Sequence, residues 1–403
     1  MADAKVAPRT PPTKRDWSWR SQAFRGLMYQ ILAVVLIGIA VWFLAHNYAE
    51  NSRIRGIKSG FDFLGLFPWQ PGSPAGFDIG ESLIPFDSND LYWRAFLVGI
   101  VNTLRVALIG IILTTILGTL IGVGRFSRNG LVRGLCQAYV EFFRNVPVLL
   151  QLLMWYLLFT ELLPDIADAK QVGGFFLSKG GLSFPEPVWV VGHIWAVSGL
   201  VVGLVAAWFY RRWAQSKFEA TGQLRSMVWA PIAVVIAFGI VGWLVGGAPS
   251  EFNLPKKGEF SVEGGGSLTP EFLAVLLGLT LYTAAFVAEV VRSGISSVAR
   301  GQGEASQALG LSKNQEMQKV LLPQALRVII PPMTSQFLNI TKNSSLAVAI
   351  GYPDVMSIAN TTMNQTGRAV ECVAIIMLVY LTTSLSTSIF MGWYNAKSAI
   401  QER

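Results

Sequence analysis

The chain reads as an all-α polytopic membrane protein with about eight transmembrane helices. Three observations lead there. Of its 403 residues, 52% are hydrophobic and only 14% charged, whereas an ordinary soluble domain carries about a quarter charged residues. Eight stretches are apolar over roughly the 18 or more residues that a bilayer core demands. The basic residues sit between those stretches, so the net charge of +8 reflects topology rather than a nucleic-acid surface, for which no basic run is interleaved with aromatics.

The expected spans are 27–45, 96–123, 146–163, 189–210, 227–248, 271–291, 328–350 and 372–393. The polar segment 1–26, with Arg9, Lys14, Arg15, Arg20 and Arg25, precedes a first apolar run too long for a signal-peptide core and followed by no small-x-small cleavage site. That run is expected to be an uncleaved span with a cytoplasmic N-terminus. An even number of spans puts the tail, 394–403, on the same side. Twenty of the 32 Lys and Arg residues then fall on that side and roughly half as many on the other, which makes it the cytoplasmic one. The loop 46–95, rich in Gly, Pro and aromatics, is external and suits the headgroup level or an outside partner.

Several function classes drop out. Two cysteines and two histidines are too few for a zinc cluster, a haem site or a disulfide framework, and no metal site is expected. Cys136 and Cys372 fall on opposite faces of the membrane and cannot pair. No Gly-Lys dipeptide occurs, so the phosphate-cradling loop of an ATPase is missing from this chain. A membrane enzyme would need paired carboxylates or a nucleophile constellation at one depth; no catalytic residue is expected.

The segment after the sixth span, VARGQGEASQALGLSKNQEMQKVLLPQALRVIIPP, specifies helix, sharp turn, helix. Glu304 to Leu309 favours helix, Gly310 suits a left-handed C-cap, and Ser312 with Gln315 forms a capping box. Such an element, projecting into the cytoplasm with Ala305, Ala308, Leu309 and Leu311 available for insertion, has the form of a docking knob. Beyond it, Lys342 comes ten residues after Pro332, about 15 Å into the span at 1.5 Å per residue, and Ser335, Asn339, Lys342 and Asn343 share a helical face. Ionisable groups at such depth are candidates for a transport pathway, and the Asn343–Ser344–Ser345 turn adds donors for a carboxylate. Snorkelling or helix pairing is the alternative role for Lys342. Tyr282 and Glu289, seven apart, share another face. Glu289 with Arg144, or Glu141 with Arg292, are depth-matched ion pairs of structural or gating kind. Ala284 and Ala288 form a small-xxx-small pair that invites a neighbouring helix.

These residues also carry a family resemblance. Glu304-Ala305-Ser306, Gly310 and Val320-Leu321-Leu322-Pro323 resemble the EAA-x3-G-x9-I-x-LP loop of ABC-importer permeases, with Ser306 for the second Ala and Val320 for Ile. Asn102-Thr103-Leu104, Glu141-Phe-Phe-Arg144-Asn145-Val146-Pro147, Leu322-Pro323-Gln324-Ala325 and Lys342-Asn343-Ser344-Ser345-Leu346 resemble segments of the polar-amino-acid branch. The NQTGRAVE stretch, Asn364 to Glu371, and the AGFDIG loop are similar to the larger permease of Aap/Bzt-type general L-amino-acid transporters. The resemblance implies a type I importer core of five helices, two in 96–163 and three in 270–393 with the coupling loop at 293–325. Span one and a helical hairpin inside the insertion 164–269 are then additions. It further implies an inner-membrane importer of L-amino acids, with a second related permease, two cytoplasmic ATP-binding subunits holding ATP and Mg, and a periplasmic binding protein. A secondary transporter or channel without an ATPase is the competing class; it would place coupling carboxylates at the midplane, and here carboxylates sit mostly at span ends or in loops.

Overall fold

The computed structural model describes residue 19 and residues 21–56, 59–67, 69, 72–80, 82–222, 226, 228–258 and 262–398. The expected N-terminal segment up to residue 18, the Lys/Arg position at Arg225, the span edge at Met227 and the end of the tail lie outside them. Helix α1 (Gln22–Ile54) starts at Ser21, whose hydroxyl accepts the Phe24 N–H at 3.1 Å. Its apolar window is open along its whole length. Next come α2 (Tyr92–Gly124), α3 (Gly130–Asn145) and α4 (Val148–Leu157), the last extended by a π turn to Leu162.

The expected third span is half of a broken pair: α3 and α4 meet at 104°. Pro147 is the cause, since the residue before a proline is driven out of the helical region, and Val146 is extended at φ −98° and ψ 129°. Buried Gln151 closes the elbow, donating to the carbonyls of Phe143 (3.0 Å) and Val146 (2.9 Å) that the broken α3 leaves open. The amphipathic α3 lies ahead of the apolar run that marked this span, so hydropathy alone passes over it.

The insertion holds a small sheet as well as a hairpin. Strands β1 (Lys170–Val172), β2 (Phe175–Ser178), β3 (Gly181–Phe184) and β4 (Glu186–Pro187) precede helices α5 (Val191–Thr221) and α6 (Trp229–Val245). After the hairpin come β5 (Phe252–Asn253), β6 (Lys256–Lys257), β7 (Val262–Glu263) and β8 (Gly266–Leu268). The order β1-β2-β3-β8 is antiparallel throughout, and Phe184 opposite Gly266 closes the insertion at its base. Within the hairpin, glycines set the approach of the two helices. A Cβ on Gly199 would stand 2.4 Å from the Phe238 carbonyl, and one on Gly242 2.3 Å from that of Trp195.

The bundle is built around α7 (Pro270–Ser296), whose central apolar window is 61% buried. The small-xxx-small pair on it receives α2: a Cβ on Gly118 would fall 2.9 Å from the Ala284 carbonyl, and one on Gly122 2.8 Å from that of Ala288. Val106, Leu152, Phe272, Val275, Leu279, Ile340 and Tyr352 form the core between α2, α4, α7 and the helix that follows the knob. That helix, α10 (Leu322–Asn343), starts six residues before the expected span edge, passes through Pro331 and Pro332, and tightens into a 3-10 turn to Ile350. After Gly351 (φ 79°) a short helix absent from the sequence reading, α11 (Val355–Thr366), packs on Gly99 of α2 before α12 (Ala369–Ser398). Among the described residues, five helices are long and apolar enough to cross a membrane, six if the bent α3–α4 pair counts as one span, and α6 is a shorter apolar helix beside them.

Candidate functional site: the docking knob and the polar face of α10

Between α7 and α10, helix α8 (Arg300–Ala308) ends in a Schellman motif: Leu311 N–H donates to the Ser306 carbonyl (3.1 Å) and Gly310 N–H to that of Gln307 (2.9 Å), with Gly310 at φ 74°. Ser312 and Gln315 then cap α9 (Lys313–Glu316) reciprocally, at 3.0 and 3.4 Å. The second short helix does not stand apart, because a π turn, Met317–Leu321, runs it into α10. Glu304, Ala305, Ala308 and Gly310 are exposed, Leu311 is half-buried, and Leu309 stands 81% exposed at the tip. Ser306 differs from these. It is buried at 3%, with its hydroxyl donating to the Gly303 carbonyl (2.7 Å), so it shapes the knob from inside.

On α10, Ser335, Asn339 and Lys342 are exposed and Asn343 half-buried, on one face at steps of 100° per residue. Ile340 packs on Gly110, close to the middle of the apolar stretch of α2, so Lys342 is level with that middle. The turn that follows contributes less than the sequence suggests. Ser344 is buried and donates to the Thr341 carbonyl (2.7 Å), and Ser345 donates to that of Lys342 (2.8 Å), so both hydroxyl protons satisfy helix-end carbonyls. Tyr282 lies on α7 with its ring 4.9 Å from Phe286, a packing contact.

Of the two expected ion pairs, Glu289 with Arg144 is present as the long arm of a larger cluster, and Arg292 joins that cluster instead of Glu141. Glu289 holds Arg125, at the C-cap of α2, in a short charge-assisted bond, and Arg292 through Nε at 3.1 Å; Arg144 Nη1 stands farther off at 3.9 Å. Arg292 therefore pairs with Glu289 one helical turn earlier and not with Glu141, because i and i+3 neighbours on a helix meet without any crossing of the bundle. From the sequence, Arg125 counts only among the twenty basic residues on the expected cytoplasmic side. Its position at the end of a span, with a carboxylate at matched depth, was the available signal.

At the other end, Asn102 Nδ2 donates to the Pro353 carbonyl (3.0 Å), Thr103 Oγ1 accepts Val355 N–H (3.2 Å), and Asp354 N-caps α11 through Ser357 N–H (2.8 Å). The Asn102-Thr103 motif thus seats α11, and Asp354-x-x-Ser357 was a legible cap. The loop between α1 and α2 is tied to the same region. Buried Arg368 holds both carboxylate oxygens of Asp62 and the Gly60 carbonyl and lies over the Phe63 ring, while Glu371 accepts Gly60 N–H at 2.7 Å. The Asp62 carboxylate raises the Arg368 pKa further, by hydrogen bond and charge.

A bundle of long apolar helices that presents a capped knob at one face and carries a polar stripe along one helix is built as a membrane protein. The family profile described as "Binding-protein-dependent transport system inner membrane component" matches residues 199–399. The general L-amino acid transport system permease protein AapQ of Rhizobium johnstonii is 45% identical over 98% of each chain. The putative amino-acid ABC transporter permease protein YhdX of Escherichia coli is 43% identical over 98% of this chain and 99% of its own. The glutamate/glutamine/aspartate/asparagine transport system permease protein BztB of Rhodobacter capsulatus is 39% identical over 94% and 95%. The chain belongs to this family of ABC-importer permeases, in its Aap/Bzt-type branch.

Proposed function

We propose that the chain is one of two membrane-spanning halves of an inner-membrane importer of L-amino acids, paired with a second, related permease. Two cytoplasmic subunits bind ATP and Mg and supply the driving force, a periplasmic amino-acid-binding protein delivers the substrate, and both termini of this chain are cytoplasmic. The observation that carries the reading is the knob. Its Schellman turn, capping box and buried Ser306 make it rigid, and its exposed Leu309, Ala305, Ala308 and Glu304 give a partner something to grip. A rigid lever joined without a break to α10 transmits movement of the ATPase subunits to the helix that bears Ser335, Asn339 and Lys342. The ATPase subunits can bias inward against outward access only by their differential affinity for the two states.

The test is purification through a tag on this chain, followed by identification of partners and an ATPase assay. Wild type is expected to bring down an ATPase. Leu309→Asp with Glu304→Lys changes the tip but not its frame, and Gly310→Pro removes the positive φ that the turn requires; both are expected to lose it. An ATPase retained by both variants refutes the knob as the coupling element. No ATPase with the wild type returns the competing class, a secondary transporter or channel.

A further inference from the structure

Where α3, α7 and α10 meet at the cytoplasmic end of the bundle there is a cavity of about 290 Å³. Its walls include Arg144, Phe286, Glu289, Ser293, Pro332 and Gln336. Three guanidiniums gather on one carboxylate here. Glu289 gives Oε2 to Arg125 and Oε1 to Arg292, leaving Arg144 at 3.9 Å, past hydrogen-bonding distance, over the face of Phe286. Arg125, Arg144 and Arg292 against Glu289 amount to a formal +2 beside a cavity walled partly by apolar groups, a setting in which an added anion gains more than it would in water. Val328 and Pro332 of its lining fall on the face of α10 that carries Ser335, Asn339 and Lys342, with Gln336 at the edge, so the cavity is the inner end of that stripe.

We infer that this cavity is an anion subsite in which Arg144, with Gln336 and Ser293, takes the carboxylate of an amino acid passing along α10, one station inward of Lys342. The inference rests on the amino-acid reading above and extends it to a second cationic station. The volume is at the lower edge of ligand pockets of roughly 300–1,000 Å³, which suits a free amino acid better than a larger anion. The same chemistry would accept the phosphate of an inner-leaflet headgroup, and the experiment separates the two.

The assembled importer, in nanodiscs of neutral lipid and without its binding protein, is titrated with L-glutamine and with L-glutaminamide, which lacks the carboxylate. Wild type is expected to bind L-glutamine at least tenfold more tightly than the amide. Arg144→Gln is expected to weaken L-glutamine about tenfold and erase the preference, Arg144→Lys to restore part of it, and Gln336→Leu to weaken binding without touching the ion cluster. Co-elution with the ATPase subunits checks that each variant is folded. Unchanged affinity in both Arg144→Gln and Gln336→Leu overturns the inference, as does equal binding of acid and amide. Wild type that ignores L-glutamine but retains phosphatidylglycerol, with that retention lost in Arg144→Gln, assigns the cavity to a headgroup and also overturns it. Lys342→Met, assayed for ATP-driven uptake, keeps the two ideas apart. Lost uptake with unaltered Arg144 variants leaves the stripe standing and removes the inner station; intact uptake with impaired Arg144 variants does the reverse.

Discussion

Arg368 shows how much a single buried side chain can hold, even where its carboxylate partner, Asp62, stays exposed. Its guanidinium joins the Asp62 carboxylate, the Gly60 carbonyl and the Phe63 ring, and with Glu371 on the Gly60 N–H it fastens the loop between α1 and α2 to the start of α12. Phe63 and Leu64 complete the outer hydrophobic cluster with Tyr92, Phe96, Val355 and Ile358, so the loop is part of the core at that end. Arg368→Met keeps the stem and deletes these bonds. A hydrogen bond to a charged group contributes about 1.5–3 kcal/mol, and Asp62 keeps some access to water, so a loss of about 2 kcal/mol is expected, with faster amide exchange at Gly60. The readouts are the unfolding midpoint and hydrogen exchange over 59–67; protection of the Gly60 amide equal to wild type would show that the loop holds without Arg368. The NQTGRAVE motif was visible in the sequence as a resemblance, but its purpose was not. The atoms it serves are some 300 residues away, a distance that no local pattern bridges.

At the scale of elements, legibility followed the kind of signal. The knob announces itself because caps and left-handed glycines are local chemistry: Gly310 and the Ser312–Gln315 pair specify their turn whatever surrounds them. The long apolar helices follow from composition for the same reason. Helix α11 leaves no such mark, because its sequence, VMSIANTTMNQT, is short and polar for a membrane segment, and it is held by tertiary seats at Gly99, Asn102 and Thr103. The strands of the insertion, two to four residues each, carry too little periodicity to read. Their pairing makes a prediction possible. Since Phe184 opposes Gly266 in an antiparallel ladder, residues 185–265 form an excursion from a closed base. Replacing them with Asn-Gly, a two-residue turn suited to such a pair, removes α5 and α6 together and leaves every other span facing its original side. The shortened chain is expected to insert and to co-purify with the same partners as the full one. Failure to assemble would make the hairpin part of the permease core.

For the molecule as a whole, the decisive feature is where its polar surface lies. The apolar windows of α1 and α12 are open and suit lipid, but α10 turns Ser335, Asn339 and Lys342 outward at the depth of the middle of α2. A lysine and an asparagine facing hydrocarbon at that depth are costly enough that such residues in membrane proteins face a bundle interior or a water-filled cavity. Among the described residues no helix of this chain lies over that face to bury these three side chains. On the proposed function, the second permease covers it, with the pathway between the two halves. Cysteine placed at Asn339 is therefore expected to cross-link to a cysteine scanned along the matching helix of the partner permease, and the yield is expected to change when ATP is trapped on the ATPase subunits, since α10 is continuous with the knob. Val123→Cys, on an exposed position near the inner end of α2, gives the background from non-specific collisions in lipid. Cross-linking of Asn339→Cys no greater than that background would place the stripe away from the interface, and with it the route from Lys342 to the cytoplasmic end.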